Sequence, residues 1–382
     1  MKFSSTSSDL LQALQLVSRA ISSQQALPIL GNILFEVKGS SCTLSATDLE
    51  LSIVTSFDAK VESEGMLTVP AKAILNFAQY TSDLEVLLEV VDGTQLRCVS
   101  KHGKTNLAGE AATNYPSIPS IEKRETLFLE AAPLLEALHL VTFASARTSL
   151  RPVLSGVYLH IEKKKMTLAA TDSYRLSEYS LPIDGESELT CIIPVKVLEE
   201  LKAVISTAKG SKEKEREGGD KKEALMVEMT LSQQQIELKI GHTRLLSRLI
   251  EGKFPDYHQI IPKQTDTVVT LSMKELTIAA KRMHYFAKEM NNNITFHFGG
   301  GQALLFTPQT QMGKDEATIT AEIDGGEGKI ALSSSYLLDF LGHIDGDALK
   351  ICIQDSMHPA VFYLPGNERF LHLIMPLRIQ ES

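Results

Sequence analysis

Two stretches of this 382-residue chain match each other without a gap at a shift of 124 residues. A chain that repeats itself at domain length builds the same kind of core more than once. Pro28-Ile29-Leu30 and Cys42-Thr43-Leu44-Ser45-Ala46-Thr47-Asp48 return as Pro152-Val153-Leu154 and Met166-Thr167-Leu168-Ala169-Ala170-Thr171-Asp172. Upstream, Leu10, Leu11, Ala13, Leu14, Leu16, Val17 and Ala20 fall on Leu134, Leu135, Ala137, Leu138, Leu140, Val141 and Ala144; downstream, Pro70-Ala71-Lys72 falls on Pro194-Val195-Lys196.

Further along the register changes, because Tyr115-Pro116 matches Phe254-Pro255 at a shift of 139. The extra residues have a source in 210–223, which reads GSKEKEREGGDKKE. So few apolar side chains cannot offset the entropy of ordering, so a solvated loop inserted in the second copy is expected. Acids and bases alternate in it, which speaks against a basic tract for nucleic acid. A third copy is weaker in sequence. Thr270-Leu271-Ser272 leads into a helical run over 274–288, Ser335-Tyr336-Leu337-Leu338 follows a strand as Lys196-Val197-Leu198 does, and Met375-Pro376 stands where Phe254-Pro255 ends copy two. Three domains are therefore expected, at 1–122, 126–264 and 267–382.

Within a copy, Leu10, Leu14, Val17 and Ile21 recur at helical spacing, with Asp9 placed to cap, and Leu134, Leu135, Leu138 and Val141 repeat the pattern. Apolar alternation at Leu49, Leu51, Ile53, at Val157, Leu159, Ile161 and at Ile236, Leu238, Ile240 marks half-buried strands. A second helix is expected after Pro70 and after Pro194, where proline suits a helix start. Each copy reads as two helices among many short strands, an α+β domain.

Hydrophobic residues make up 43% and charged residues 22%, ordinary for a globular chain. No apolar run is long enough for a bilayer, and the start MKFSSTSSDLLQ lacks the apolar core of a signal peptide, so a cytoplasmic protein is expected. Cys42, Cys98, Cys191 and Cys352 are scattered in strand-like contexts and read as buried reduced thiols. The net charge of −9 argues against adhesion to nucleic acid through a broad basic surface. It leaves room for a protein that encloses DNA, since enclosure needs few contacts.

No HExxH, GxSxG or EF-hand spacing occurs, and the ten histidines form no ligand cluster, so neither catalytic residues nor a metal or other cofactor are expected. Gly325-Gly326-Glu327-Gly328-Lys329 has the wrong spacing for a phosphate loop and reads as a hairpin turn; Gly299-Gly300-Gly301 also suits a turn. Asp48 and Asp172 end repeated strands, where a carboxylate either acts as a base or closes a turn on nearby amides; the repetition favours the turn. After them the copies diverge, Leu49-Glu50-Leu51 against Ser173-Tyr174-Arg175-Leu176. At the other end, 370–379 is a strand-like run whose Met375, Pro376 and Leu377 fit no ordinary ladder beyond the proline and could line a groove.

MKF at the start, LPILGNILFEV from Leu27, ATDLEL from Ala46, ATDSYRL from Ala170, FPDY from Phe254 and the terminal LIMPLRI occur in one order along the whole chain. Together they closely resemble the bacterial DNA sliding clamps, the beta subunits of DNA polymerase III. The resemblance implies three similar clamp domains per chain, each with two helices packed on antiparallel sheets, closing into a ring as a head-to-tail homodimer. It implies a processivity factor without enzymatic activity, encircling duplex DNA and tethering the replicative polymerase, the clamp loader, and repair and mismatch-repair proteins through a short peptide motif.

Carried over by position, the resemblance implies a peptide-binding cleft at Leu154, Thr171, Tyr174, Arg175, Leu176, Pro255, Ile260, Tyr336, Met357, Pro359, Leu373, Ile374, Met375, Pro376, Leu377 and Arg378. Its apolar members would take Leu, Met or Phe anchors, and Arg175 and Arg378 would bond the peptide backbone or a terminal carboxylate. Ser173 stands where the family commonly has glycine. DNA-facing candidates are Arg19, Lys72, Arg147, Arg151, Lys196, Lys202, Lys281, Arg282 and Lys288, meeting phosphates without reading sequence; Gln24 stands where a relative has arginine. Lys101 and Lys104 against Asp315 and Glu316 are the expected dimer contact. Two other readings stay open: a clamp-fold paralogue acting in repair or drug resistance, suggested by the charged insertion and Gln380-Glu381-Ser382, and a hydrolase of repeated α+β domains, for which no nucleophile and base are evident.

Overall fold

The computed structural model describes the chain apart from residues 23, 25, 26, 122–124, 149, 185–187, 215–223 and 380–382, and without the side chains of 125 and 209–214. Six α-helices are described: α1 (Ser7–Ser18), α2 (Ala71–Gln79), α3 (Ala131–Val141), α4 (Val195–Lys214), α5 (Met273–Ala287) and α6 (Ser334–Leu341). Two fall in each of the three sequence copies. Each helix follows a strand: Lys2–Thr6 leads into α1, Glu125–Glu130 into α3 and Thr267–Ser272 into α5.

Helix starts are chemically defined. Thr6 accepts from the Asp9 amide at 3.0 Å, so α1 begins two residues before Asp9, and threonine rather than the expected aspartate is its cap. Ser272 accepts from the Glu275 amide at 3.3 Å, the Ser-x-x-Glu pattern of a capping box. The face that sequence spacing picks out on α1, Leu10, Leu14 and Val17, is buried, and on α5 the buried face is formed by Leu276, Ala280 and Met283. Each fully buried leucine contributes about 2 kcal/mol of transfer free energy.

The chain divides into two compact units, Met1–Ala132 with Glu199–Leu249, and Pro133–Leu198 with Ile250–Ser382. The first holds a five-stranded sheet, which ends on the strand Lys104–Ala108, and an eight-stranded sheet. In the eight-stranded sheet the order is Glu125–Glu130, Met226–Leu231, Gln235–Ile240, Thr243–Arg248, Leu51–Asp58, Ser41–Thr47, Asn32–Lys38, Gly65–Pro70. Four strands of the second copy thus join four of the first through Thr243–Arg248 and Leu51–Asp58, with Ser247 opposite Leu51 and Leu246 opposite Ser52.

The second unit repeats that design. Its twelve-stranded sheet joins second-copy strands to third-copy strands through Arg175–Pro182 and Asn367–Ile374, with Arg175 opposite Ile374 and Leu176 opposite Leu373. Every strand pair is antiparallel, and the middle copy contributes four strands to each large sheet.

Other readings need amendment. Residues 210–214 continue α4 instead of opening a loop, because alternating Lys and Glu are good helix formers; the rest of the inserted run, 215–223, and the tail 380–382 lie outside the described residues. Leu49 sits in a turn, and its strand starts at Leu51. The turn after Gly325 is not a hairpin, since Gly328–Ser333 pairs with Asn293–Gly299 and not with Glu316–Gly325. Gly300 and Gly301, with φ of +59° and +74°, do form a two-residue hairpin loop. All four cysteines lie on strands; burial pushes the Cys98 and Cys191 thiols up to about 12. Among the described residues no helix is long and apolar enough to cross a membrane, and no group of three His, Cys, Asp or Glu could hold a metal ion.

Candidate functional site

The repeated Ala-Thr-Asp closes a turn in both places. Asp172 Oδ1 accepts from the amides of Tyr174 and Arg175 at 2.9 and 3.0 Å, while Thr171 Oγ1 donates to the Arg175 carbonyl at 2.6 Å and accepts from the Ser173 amide at 3.1 Å. Asp48 accepts from Glu50 and Leu51 at 3.1 and 2.8 Å, and Thr47 Oγ1 engages Leu51 and Leu49 in the same way. These carboxylates are turn acceptors, not bases. The turn forces its central residue left-handed, φ +77° at Leu49 and +79° at Ser173, which is why glycine suits this place.

The turn of 171–175 throws Tyr174 outward, 61% exposed, and carries Arg175 inward, 7% exposed. Arg175 donates through Nε to Asp172 at 3.1 Å, through Nη1 to Asp339 at 2.5 Å and through Nη2 to the Phe143 carbonyl at 2.9 Å. Its guanidinium lies 5.3 Å from the Phe143 ring and 5.1 Å from Tyr336. Tyr336 in turn stacks on Tyr174, centroids 6.1 Å apart and planes within 16°. Burial and the nearby Asp172 carboxylate raise the Tyr336 phenol, so it stays a neutral hydrogen-bonding group. Three directed bonds and two ring contacts make Arg175 a brace of the site wall, and it also lines the cavity.

Around this brace lies a cavity of about 850 Å³, lined by Ser145–Thr148, Leu150, Arg151, Leu154, Asp172–Arg175, Ser335, Tyr336, Leu338 and Asp339. Of the expected cleft residues, Leu154, Tyr174, Arg175 and Tyr336 line it. Leu154, Leu176 and Leu373 are buried in one apolar cluster with Phe254 and Tyr257, and Met375 packs against that cluster. Thr171 is buried and its hydroxyl serves the turn. Met375 is fastened by its amide to the Tyr174 carbonyl at 2.8 Å, Leu377 by its amide to Ala331 at 2.7 Å, and Arg378 accepts from Asn293 Nδ2 at 3.0 Å. Ile374 is fully buried and ends its strand. Pro255, Ile260, Met357, Pro359, Pro376, Leu377 and Arg378 are not in the cavity lining; Met357 is 80% exposed and Pro359 buried.

Sequence reasoning missed Asp339, Phe143 and Leu150. Leu150 is fully exposed beside Arg147 and Arg151, and an apolar residue set between two arginines was the available signal. Both arginines, expected to face DNA, line the cavity. Of the other cations, Lys72 and Lys196 sit exposed in the first turns of α2 and α4, Lys281 is exposed on α5, and Lys288 is exposed at its end. Arg19 is paired with Glu200, Lys202 with Glu199 at 2.8 Å, and Arg282 with Asp315 at 2.7 Å. Asp315 and Glu316, expected at a subunit contact, have partners in their own chain, Arg282 and Lys314. Lys101 and Lys104 are exposed, Lys104 opening the edge strand of the five-stranded sheet, and Gln24 donates its amide to Ser22.

Three α+β modules that share two large sheets, with a braced cavity at one shared seam, define a clamp-type architecture. The chain belongs to the DNA polymerase III beta subunit family: models of its N-terminal, central and C-terminal domains match residues 1–119, 129–256 and 258–378 in succession. It is similar to the beta sliding clamp of Synechocystis sp., 31% identical over 390 residues with 99% of this chain and 100% of that protein covered. The beta sliding clamp of Pseudomonas putida is 27% identical over 383 residues, with the same shares covered. Among solved structures, the DNA polymerase sliding clamp from Bacillus subtilis is 25% identical with a TM-score of 0.90, covering 100% of both chains. A sliding clamp from Pseudomonas aeruginosa bound to griselimycin gives 25% and 0.90, covering 99% of this chain and 100% of that one.

Proposed function

We propose that this chain is a DNA sliding clamp that keeps the replicative polymerase on its template and has no catalytic activity of its own. The observation that carries the reading is the succession of three family domains, in order, between residues 1 and 378, with full-length relatives named beta sliding clamp. Those relatives do not favour a repair or resistance paralogue.

The physical logic follows from the charge. A chain of net charge −9 is poorly suited to hold DNA by many phosphate contacts, which would also resist sliding. Enclosure replaces contact strength by topology, and a partner tethered to the enclosed strand rebinds at high effective concentration. In this reading two chains join head to tail; the edge strand Lys104–Ala108 offers the unpaired backbone such a contact needs. Exposed Lys72, Lys196, Lys281 and Lys288 act as loose phosphate contacts, and the setting is the cytoplasm.

Partners dock by an extended peptide whose apolar side chains enter the cavity at Leu154, Tyr174 and Tyr336 and run on along Met375 and Leu377. Clamp loader, polymerases and repair proteins would share it. Replacing Met375, Pro376 and Leu377 together is expected to remove the tight binding of such peptides while the particle keeps twice the mass of one chain in light scattering. Unchanged peptide affinity removes the cleft, and a wild-type particle of single-chain mass removes the dimer.

A further inference from the structure

The seam that carries the cavity of the second unit has a counterpart in the first, built by the same residues of the repeat. Ser247 and Leu246 stand opposite Leu51 and Ser52 as Ile374 and Leu373 stand opposite Arg175 and Leu176. The turn of 47–51 repeats the turn of 171–175 bond for bond. Pro116 and Ile121 occupy the places of Pro255 and Ile260 at the shift of 139. At this counterpart lies a separate cavity of about 380 Å³, lined by Leu49, Glu50, Pro116, Ile121, Leu246 and Arg248 among others.

We propose that this cavity is a second peptide-binding site, which takes one apolar side chain of an extended segment with a carboxylate beside it. The inference rests on the cleft reading above and extends it to the other seam. Its buried wall sets the apolar Ile236 and Leu246, 0% and 5% exposed, beside the hydroxyl residues Thr47, Ser52 and Ser247, and its volume lies within the range of ligand pockets. Leu49 at the rim is 49% exposed and held at φ +77°, so a large apolar side chain is kept in the open at some conformational cost.

Charge selects the occupant. Arg248 stands where the second unit has Met375; it is exposed and makes no ion pair among the described residues. The inward arginine of the second unit is replaced here by Leu51, so the first unit's cation serves the mouth instead of the wall. Glu50, in the place of Tyr174, adds an anion on the turn side. A bound strand is therefore polarised, its carboxylate toward Arg248 and its N–H groups toward Glu50.

The test uses the full chain carrying the combined replacement of Met375, Pro376 and Leu377, and a fluorescein-labelled peptide Gly-Asp-Leu-Phe-Gly followed by anisotropy up to about 1 mM protein. Residual binding is expected, weakened on the order of tenfold by Leu49→Asp and by Arg248→Glu. Leu49→Gly, which the left-handed turn accepts without strain, should weaken it with the fold intact. A peptide with lysine in place of aspartate should bind less well, and Arg248→Glu should restore it. No residual binding, or residual binding indifferent to both Leu49 and Arg248, overturns the second site. Should the combined replacement leave the affinity at its wild-type value, the cleft reading fails by itself; the Leu49 and Arg248 variants then decide the second site alone, tenfold losses supporting it and their absence ending it.

Discussion

The Arg175 guanidinium and the Asp339 carboxylate meet at 2.5 Å, joining the Ala-Thr-Asp turn of the second copy to helix α6 of the third across 164 residues of chain. Removing the arginine leaves Asp172 and Asp339 facing each other with no cation between them. Arg175→Ala is expected to cost about 3 kcal/mol of stability. Asp339→Asn, which keeps an acceptor, should cost about 1 kcal/mol. Urea unfolding of both variants checks the order, and equal small losses would show that the pair is incidental.

Backbone strain at the seams gives a second expectation. Ser173 adopts φ +79° without the excuse of being glycine. Ser173→Gly should stabilise by about 0.5–1 kcal/mol, the relief of a left-handed residue less the added freedom of the unfolded chain. Ser173→Val should destabilise by more than that. Thermal unfolding separates the two, and a loss on Ser173→Gly would mean that the serine side chain holds the turn.

Much of this seam is legible in the amino-acid sequence. The repeat locates both turns, because Thr and Asp bond the backbone within four residues and local chemistry is written locally. Helical faces at Leu10, Leu14 and Val17 are legible for the same reason. Arg175 is not: an arginine beside an exposed tyrosine reads as a surface group, and the carboxylate and rings that draw it inward lie on distant segments. The capping of α1 by Thr6 is hidden because Asp9 is an equally good cap by type. The continuation of α4 through 210–214 is hidden because low apolarity signals solvation, which a surface helix also satisfies.

Stability should fall in mild acid through one side chain above all. His372 is fully buried, hydrogen-bonded to Ser177 Oγ at 2.7 Å and stacked on Phe340 at 4.3 Å. Burial first, then the charges of Arg175 and His343, hold it well below its ordinary 6.5. Burial and Lys288 lower His284 as well. A histidine depressed in the folded state binds fewer protons folded than unfolded. Its stability contribution is thus complete above about pH 6.5 and is lost as pH drops from there toward the folded value. The slope from His372 is up to about 1.4 kcal/mol per pH unit. His372→Gln should flatten the stability profile between pH 6.5 and 5, measured by urea unfolding; an unchanged slope would place the acid sensitivity elsewhere.

The exposed lysines predict a graded effect on DNA. Replacing Lys72, Lys281 and Lys288 by alanine should reduce the salt dependence of binding to short duplexes by up to about 0.9 in the logarithmic slope per phosphate contact removed. Sequence preference should not change, since phosphate contacts read none. Titrations at several salt concentrations measure it, and an unaltered slope would remove these residues from the DNA path.

Enclosure itself is tested most directly by loading the protein on a nicked circular duplex, cutting the circle once and measuring what stays bound by gel filtration at moderate salt. Retention on the circle and loss within minutes of linearisation are expected, with retention restored when both ends are blocked. Equal retention on circular and open linear DNA would mean that contacts, not topology, hold the protein in place.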